Sequence, residues 1–147
     1  MTEHTRELLG CTAALLDQGR IVDRLSRPLT ASALVAILIS PALSTKPPLM
    51  VVGFAMLVAV AGLAETYLAI RVSFDGALLH QVANAPDGPD FARTDASLMR
   101  LGLIPPTKSG RPAMARVAGA KRLLVFQIAA LVVQVTSVFV GASIALA

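Results

Sequence analysis

Charge is what this chain is short of. Only 15% of its 147 residues are charged, against roughly 25% in an ordinary soluble domain, and the shortage falls in blocks. No charged residue occurs from Pro28 to Thr45, Glu65 alone interrupts the stretch from Pro47 to Ile70, and none follows Arg122. Each gap is close to the ~17–25 residues a helix needs to cross a bilayer. The single cysteine, Cys11, excludes an internal disulfide and carries no information on redox compartment. Tryptophan is missing and Tyr67 is the only tyrosine, which leaves little for an aromatic wall around a cationic substrate.

Catalytic patterns are missing too. His4 and His80 stand alone, so no Cys/His set has metal-ligand spacing and no Ser-His-Asp arrangement can be assembled. There is no Gly-rich phosphate loop, since "GAKR" at 119–122 lacks the remainder of that motif. The apolar stretches contain no histidine, and Met50 and Met56 read as space-filling, not as haem ligands. Three spans with short flanks also leave too little chain for a soluble catalytic domain, which needs about 50 residues or more. The expectation is a protein that is not an enzyme and holds no metal or cofactor.

What is present is apolar: 55% of residues are hydrophobic and the mean hydropathy is +0.71. The chain reads as an all-α integral membrane protein with three transmembrane helices, an N-terminal amphipathic helix and a short helical cytoplasmic segment. Residues 1–28 form the amphipathic helix, with Leu8, Thr12, Leu15, Gly19 and Val22 at three- and four-residue spacing and Leu9, Leu16 and Leu25 widening the stripe. Residues 29–72 form a hairpin of spans at about 29–44 and 49–70. Pro28 is expected at its first helical position, Pro41 near its kink or end, and Lys46-Pro47-Pro48 in the turn. Residues 73–120 form the cytoplasmic segment, in which the second helix continues along a face of Phe74, Leu78 and Val82. "NAPDGPD", residues 84–90, stops it, and a short helix capped by Thr94 or Asp95 follows, ending at Pro105-Pro106. Residues 121–147 form the third span, on a helix that runs from Pro112.

Lysine and arginine set the orientation. Of thirteen, four precede the first span, one lies between the first and second, eight lie between the second and third, and none follows the third. The N-terminus and the 71–122 segment are therefore expected in the cytoplasm, and the C-terminus outside. Arginine and alanine usage suggests a GC-rich bacterial genome, and hence a multi-pass protein of a bacterial inner membrane. Two motifs near the N-terminus mislead. "ELLGC", residues 7–11, imitates a lipobox without the basic, apolar approach that one requires. "SRPLTASALVAILISPALS", residues 26–44, has the layout of a cleavable signal but follows an unusually long and acidic lead. The first span is expected to be retained.

The polar residues inside the spans are the candidate site. An acid at mid-bilayer costs about 2.5–3.5 kcal/mol on insertion scales. At 1.5 Å per residue, Glu65 lies about 7.5 Å from the cytoplasmic boundary, Gln127 about 6 Å and Ser32 about 4.5 Å. The expectation is an intramembrane polar cluster of Glu65, Gln127 and Ser32, with Arg122 or Lys121 offsetting the charge. On the third span Gln127, Ala130, Gln134, Ser137 and Gly141 repeat at three and four, a helix-packing seam that is small or polar throughout. Ala55, Ala59, Gly62, Thr66 and Ala69 form a matching stripe on the second span, and Ser32, Ala36 and Ser40 on the first. Lys108, Arg111, Arg116, Lys121 and Arg122 read as a contact for anionic lipid before a nucleic-acid site.

These features point to a small non-catalytic accessory or assembly subunit of a larger membrane complex. Its partners would be membrane lipid and other transmembrane subunits, in a hetero-oligomer sooner than a homo-oligomer, with no nucleic acid. The competing reading is a small proton- or ion-coupled transporter acting as an oligomer through Glu65.

Overall fold

In the computed structural model, residues 3–43, 49–85 and 90–146 are described, and every element among them is helical: α1 (Glu3–Asp17), α2 (Gly19–Leu43), α3 (Leu49–Ala83), α4 (Phe91–Arg100), a single 3-10 turn (Pro106–Lys108) and α5 (Ala113–Leu146). Three helical stretches, Glu3–Ala42, Leu49–Ala83 and Ala113–Ala145, are long and apolar enough to cross a membrane. The Lys46-Pro47-Pro48 turn lies outside the described residues.

The largest departure from the sequence reading is at the N-terminus. Residues 1–28 are not one helix. α1 stops at Asp17, and α2 begins at Gly19, so Pro28 sits inside α2 and not at its first turn. Pro28 has no N–H to offer the carbonyl four residues back, which belongs to Arg24, an exposed residue. Pro41 is also inside α2. The carbonyl it leaves without an N–H partner is that of Ile37, and the Ser40 hydroxyl donates to it at 3.1 Å. That bond lets the helix run past Pro41 to Leu43. The amphipathic stripe also differs from the expected one. Leu9, Thr12, Ala13 and Leu16 are buried, whereas Leu15 and Leu25 are exposed.

The chain divides into two compact units, Met1–Gln18 with Val72–Leu123, and Gly19–Arg71 with Leu124–Ala147. The first holds α1, the end of α3, α4 and the start of α5. α1 approaches α3 at Gly76, where an added Cβ would lie 3.3 Å from Leu16 Cβ. The buried face of α3 here is Val72, Gly76, Leu79 and Val82. Phe74, expected on that face, is 41% exposed, and Leu78 is only partly buried.

α4 starts earlier than Thr94 or Asp95 capping would require. Asp90, extended at φ −121° and ψ 106°, caps it by accepting from Ala92 N at 2.8 Å, as N-cap carboxylates do. The helix ends well before Pro105-Pro106. Gly102, at φ +69°, donates to Met99 O at 3.0 Å, and Leu103 N donates to Leu98 O at 2.9 Å. This is the Schellman arrangement, and its left-handed position favours glycine.

Asp95 is no cap but the centre of this unit. Its side chain is 1% exposed, and Arg116, itself 18% exposed, meets it at 2.7 Å. The carboxylate also accepts from Gly110 N at 2.8 Å, and Gly110 reaches it in a left-handed conformation, φ +72°. The guanidinium of Arg116 stacks over Phe91, 4.7 Å from the ring centroid, and donates from Nε to Arg111 O at 3.2 Å. One ion pair therefore ties α4 and the 109–111 loop to the start of α5.

Breaking one side of such a buried pair strands the other charge and costs about 3–5 kcal/mol. Asp95→Asn is expected to lose most of that, seen as faster amide exchange across residues 91–111. Asp95→Asn with Arg116→Met is expected to recover part of it. Gly102→Ala is expected to cost about 1–2 kcal/mol through left-handed strain alone, with exchange rising at the end of α4.

Candidate functional site

The second unit, Gly19–Arg71 with Leu124–Ala147, packs α2 against the apolar parts of α3 and α5. Its contacts pair rising numbers on α2 and α5 with falling numbers on α3, so α3 runs antiparallel to both. Ala33, Val58 and Ala59 form a small buried apolar cluster, with Leu29 and Ile37 packed on it. Gly141 meets Phe54 closely enough that an added Cβ would lie 3.0 Å from Phe54 Cβ. Between and below these contacts lie two polar rungs.

The first rung is built on Gln134, fully buried. Its Nε2 donates to Thr30 Oγ1 at 2.9 Å and to the Val58 carbonyl at 3.2 Å, and its Oε1 accepts from Ser26 Oγ at 2.5 Å. Both amide protons and the amide oxygen are thus used on α2 and α3, which satisfies a group that would otherwise be costly to bury. Gly62 faces the same point. A Cβ there would collide with the Thr30 hydroxyl and the Gln134 amide, so only glycine lets the three backbones come this close. Thr30 and Thr66 turn their hydroxyls back onto their own helices, donating to Ser26 O at 3.0 Å and Gly62 O at 2.9 Å.

The second rung joins Glu65 and Gln127, both fully buried. Gln127 Nε2 donates to Glu65 Oε1 at 2.8 Å and to the Gly19 carbonyl at 2.8 Å. Since Gly19 O can only accept, this bond fixes which end of the amide is nitrogen. Two atoms remain without a hydrogen-bond partner, Glu65 Oε2 and Gln127 Oε1.

The structure thus brings Glu65 and Gln127 together, but Ser32 does not join them. Ser32 is exposed, and the part of α2 level with Glu65 is Gly19. Ser32 lies about 20 Å further along the helix at 1.5 Å per residue. Taking Pro28 as the helix start placed α2 in the wrong axial register. Lys121 and Arg122, expected to offset the acid, are exposed members of the other unit. The bond that reaches Glu65 comes from an amide.

On α5 the seam lies inward. Gln127, Gln134, Ser137 and Gly141 are buried and Ala130 is partly buried, with the Ser137 hydroxyl donating to Val133 O at 2.7 Å. The α3 stripe, Ala55, Ala59, Gly62, Thr66 and Ala69, is buried or partly buried along its length. On α2 the inward positions are Ser26, Thr30, Ala33 and Ile37, while Ser32 and Ala36 are exposed. The packed face is rotated from the expected one. Ser26 and Thr30 continue the three-and-four spacing of Ala33 and Ile37, a signal the sequence holds once α2 is allowed to begin before Pro28.

The basic group also divides. Lys108, Arg111, Lys121 and Arg122 are exposed, but Arg116 turns inward onto Asp95 and drops out of any surface contact. Among the described residues no cluster of three His, Cys, Asp or Glu could hold a metal ion.

Two substitutions test the rungs. Gln134→Leu leaves the buried Ser26 hydroxyl unpaired, and is expected to cost about 1–3 kcal/mol, partly recovered by adding Ser26→Ala. In a double-mutant cycle of Glu65→Leu and Gln127→Leu, the two losses are expected to fall short of additive by on the order of 1 kcal/mol. Unfolding in detergent measures both. Comparison with protein-family models, with curated proteins and with solved structures finds no match to this chain.

Proposed function

We propose that this chain is a non-catalytic accessory or assembly subunit of a larger membrane complex, held in a bacterial inner membrane with its N-terminus in the cytoplasm and its C-terminus outside. The observation that carries the reading is how the small and polar residues are divided. The stripe Ala55, Ala59, Gly62, Thr66 and Ala69 on α3 and the seam Gln127, Ala130, Gln134, Ser137 and Gly141 on α5 are buried or partly buried within the chain, whereas Ser32 and Ala36 on α2 are exposed. These two, four residues apart, are the small-residue spacing that lets a second helix approach closely in lipid. The glutamines are therefore the internal fastening of the subunit, and its docking face lies on the other side of α2. Around it Leu34, Val35 and Leu38 are exposed and suit either lipid or a partner helix.

Lys108, Arg111, Lys121 and Arg122 fit a cytoplasmic contact with anionic headgroups, at about 1 kcal/mol each near the surface. A second reading, transport of a proton or ion by an oligomer through Glu65, is favoured by one observation: the acid is fully buried and has an oxygen with no partner.

The two readings separate on co-purification from membranes in mild detergent. With Ala36→Leu, a partner retained by the wild type is expected to be lost at least tenfold, while the melting temperature of the isolated subunit stays unchanged. Glu65→Gln is expected to leave the partner bound and the cellular function intact. A pure homo-oligomer whose function fails with Glu65→Gln would select transport. A periplasmic reporter fused after Ala147 is expected to be active, and its inactivity would refute the orientation.

A further inference from the structure

The two unpartnered atoms of the Glu65 rung are both oxygens, and both are shut off from solvent. With Glu65 as a carboxylate the rung contains two acceptors too many. Gln127 can do nothing about this, because both of its amide protons are committed, one to Glu65 Oε1 and one to the Gly19 carbonyl. Turning the amide over would not help, since it would set an oxygen against the Gly19 carbonyl oxygen. What the rung lacks is one donor.

One proton would supply it. Placed on Glu65 Oε2, it makes that oxygen a hydroxyl donor, and the acceptor left over is Gln127 Oε1. The amide already holds the other carboxyl oxygen from its nitrogen end. The result is the cyclic pair of a carboxylic acid and a primary amide, with N–H to O=C on one side and O–H to O=C on the other. One proton shared between them would satisfy both stranded atoms, each of which is otherwise a buried acceptor with no donor. A metal cation fits less well. The Gln127 nitrogen, not its oxygen, is directed at Glu65 and Gly19, so the amide dipole turns its positive end toward the oxygens that a cation would need.

We propose that Glu65 and Gln127 form a proton-binding site, in which a proton held on Glu65 Oε2 is shared with Gln127 Oε1 and fastens α3 to α5 beside the start of α2. The ionisable groups on the elements packed here are Arg20, Asp23, Arg24 and Arg27 on α2, and Tyr67 and Arg71 on α3. α5 carries none beyond Arg122. Arg27 is within electrostatic reach of Glu65, but its guanidinium is taken by Asp23 at 2.6 Å.

Infrared spectroscopy of the full chain in detergent, grown with carboxyl-labelled glutamate, reads the proton directly. The chain has three glutamates, and Glu3 and Glu7 are exposed, so a protonated glutamate band at neutral pH belongs to Glu65. The expected result is such a carbonyl band, shifting in heavy water, lost in Glu65→Gln, moved in frequency by Gln127→Leu and unchanged by Arg27→Gln. Glu65→Gln, an isostere of the protonated acid, should keep the melting temperature of the wild type. A spectrum with only carboxylate bands at neutral pH, in the wild type itself, would overturn the proposal whether or not any variant folds. So would an acid band that Gln127→Leu leaves unmoved.

Discussion

Everything in the apolar part of this protein depends on two buried side-chain amides and how completely their hydrogen bonds are used. Where water is scarce, a polar group must find its partner within the protein. Gln134 does so fully, spending both protons and its oxygen on α2 and α3. Gln127 spends both protons, on the Gly19 carbonyl and on Glu65. Each amide is a three-way connector, and the pair sets where the helices lie along one another. Apolar contacts alone would not: Ala33, Val58 and Ala59 could slide by a turn and meet similar small neighbours. A glutamine that must reach one named carbonyl cannot.

Close approach is the condition for these bonds, and it explains the glycines. Gly62 opposes Thr30 and Gln134, and Gly141 opposes Phe54. Helices in lipid gain little from hiding apolar surface, because the lipid is as apolar as they are. Contact area and interhelical hydrogen bonds must do the holding, and both improve as backbones come together. Small residues and glutamines on the same faces are therefore parts of a single device.

The other unit solves a different problem with a different interaction. Leu9, Leu16, Val72, Leu79, Val82 and Val117 are buried there, and the short helix α4 and the 109–111 loop are tied to the start of α5 by the enclosed pair of Asp95 and Arg116. The pair is supported on every side: Gly110 N donates to the carboxylate, Arg111 O accepts from the guanidinium, and Phe91 lies beneath it. A charge pair out of water is worth having only when its remaining hydrogen-bonding capacity is met, and here much of it is. The consequence for function is that Arg116 is structural, while Lys108 and Arg111 near it remain at the surface.

Periodicity and charge spacing determined much of this protein. The apolar stretches, the breakers at 84–90 and the three-and-four repeat from Gln127 to Gly141 are local patterns. A local pattern is enough to say which face of a helix is unlike the rest and would be turned inward. It was enough to mark Glu65 as out of place. It could not say what lies opposite. Whether Gly19 or Ser32 stands level with Glu65 depends on the axial shift between α2 and α3, and a helix repeats itself too regularly for its own sequence to record that shift. Nor could spacing distinguish Asp95 as a cap from Asp95 as a buried anion, because its partner is on another helix, beyond a loop. The tertiary structure alone decided these points. They are contacts between residues far apart in the chain, selected by which buried polar atoms could satisfy one another at once.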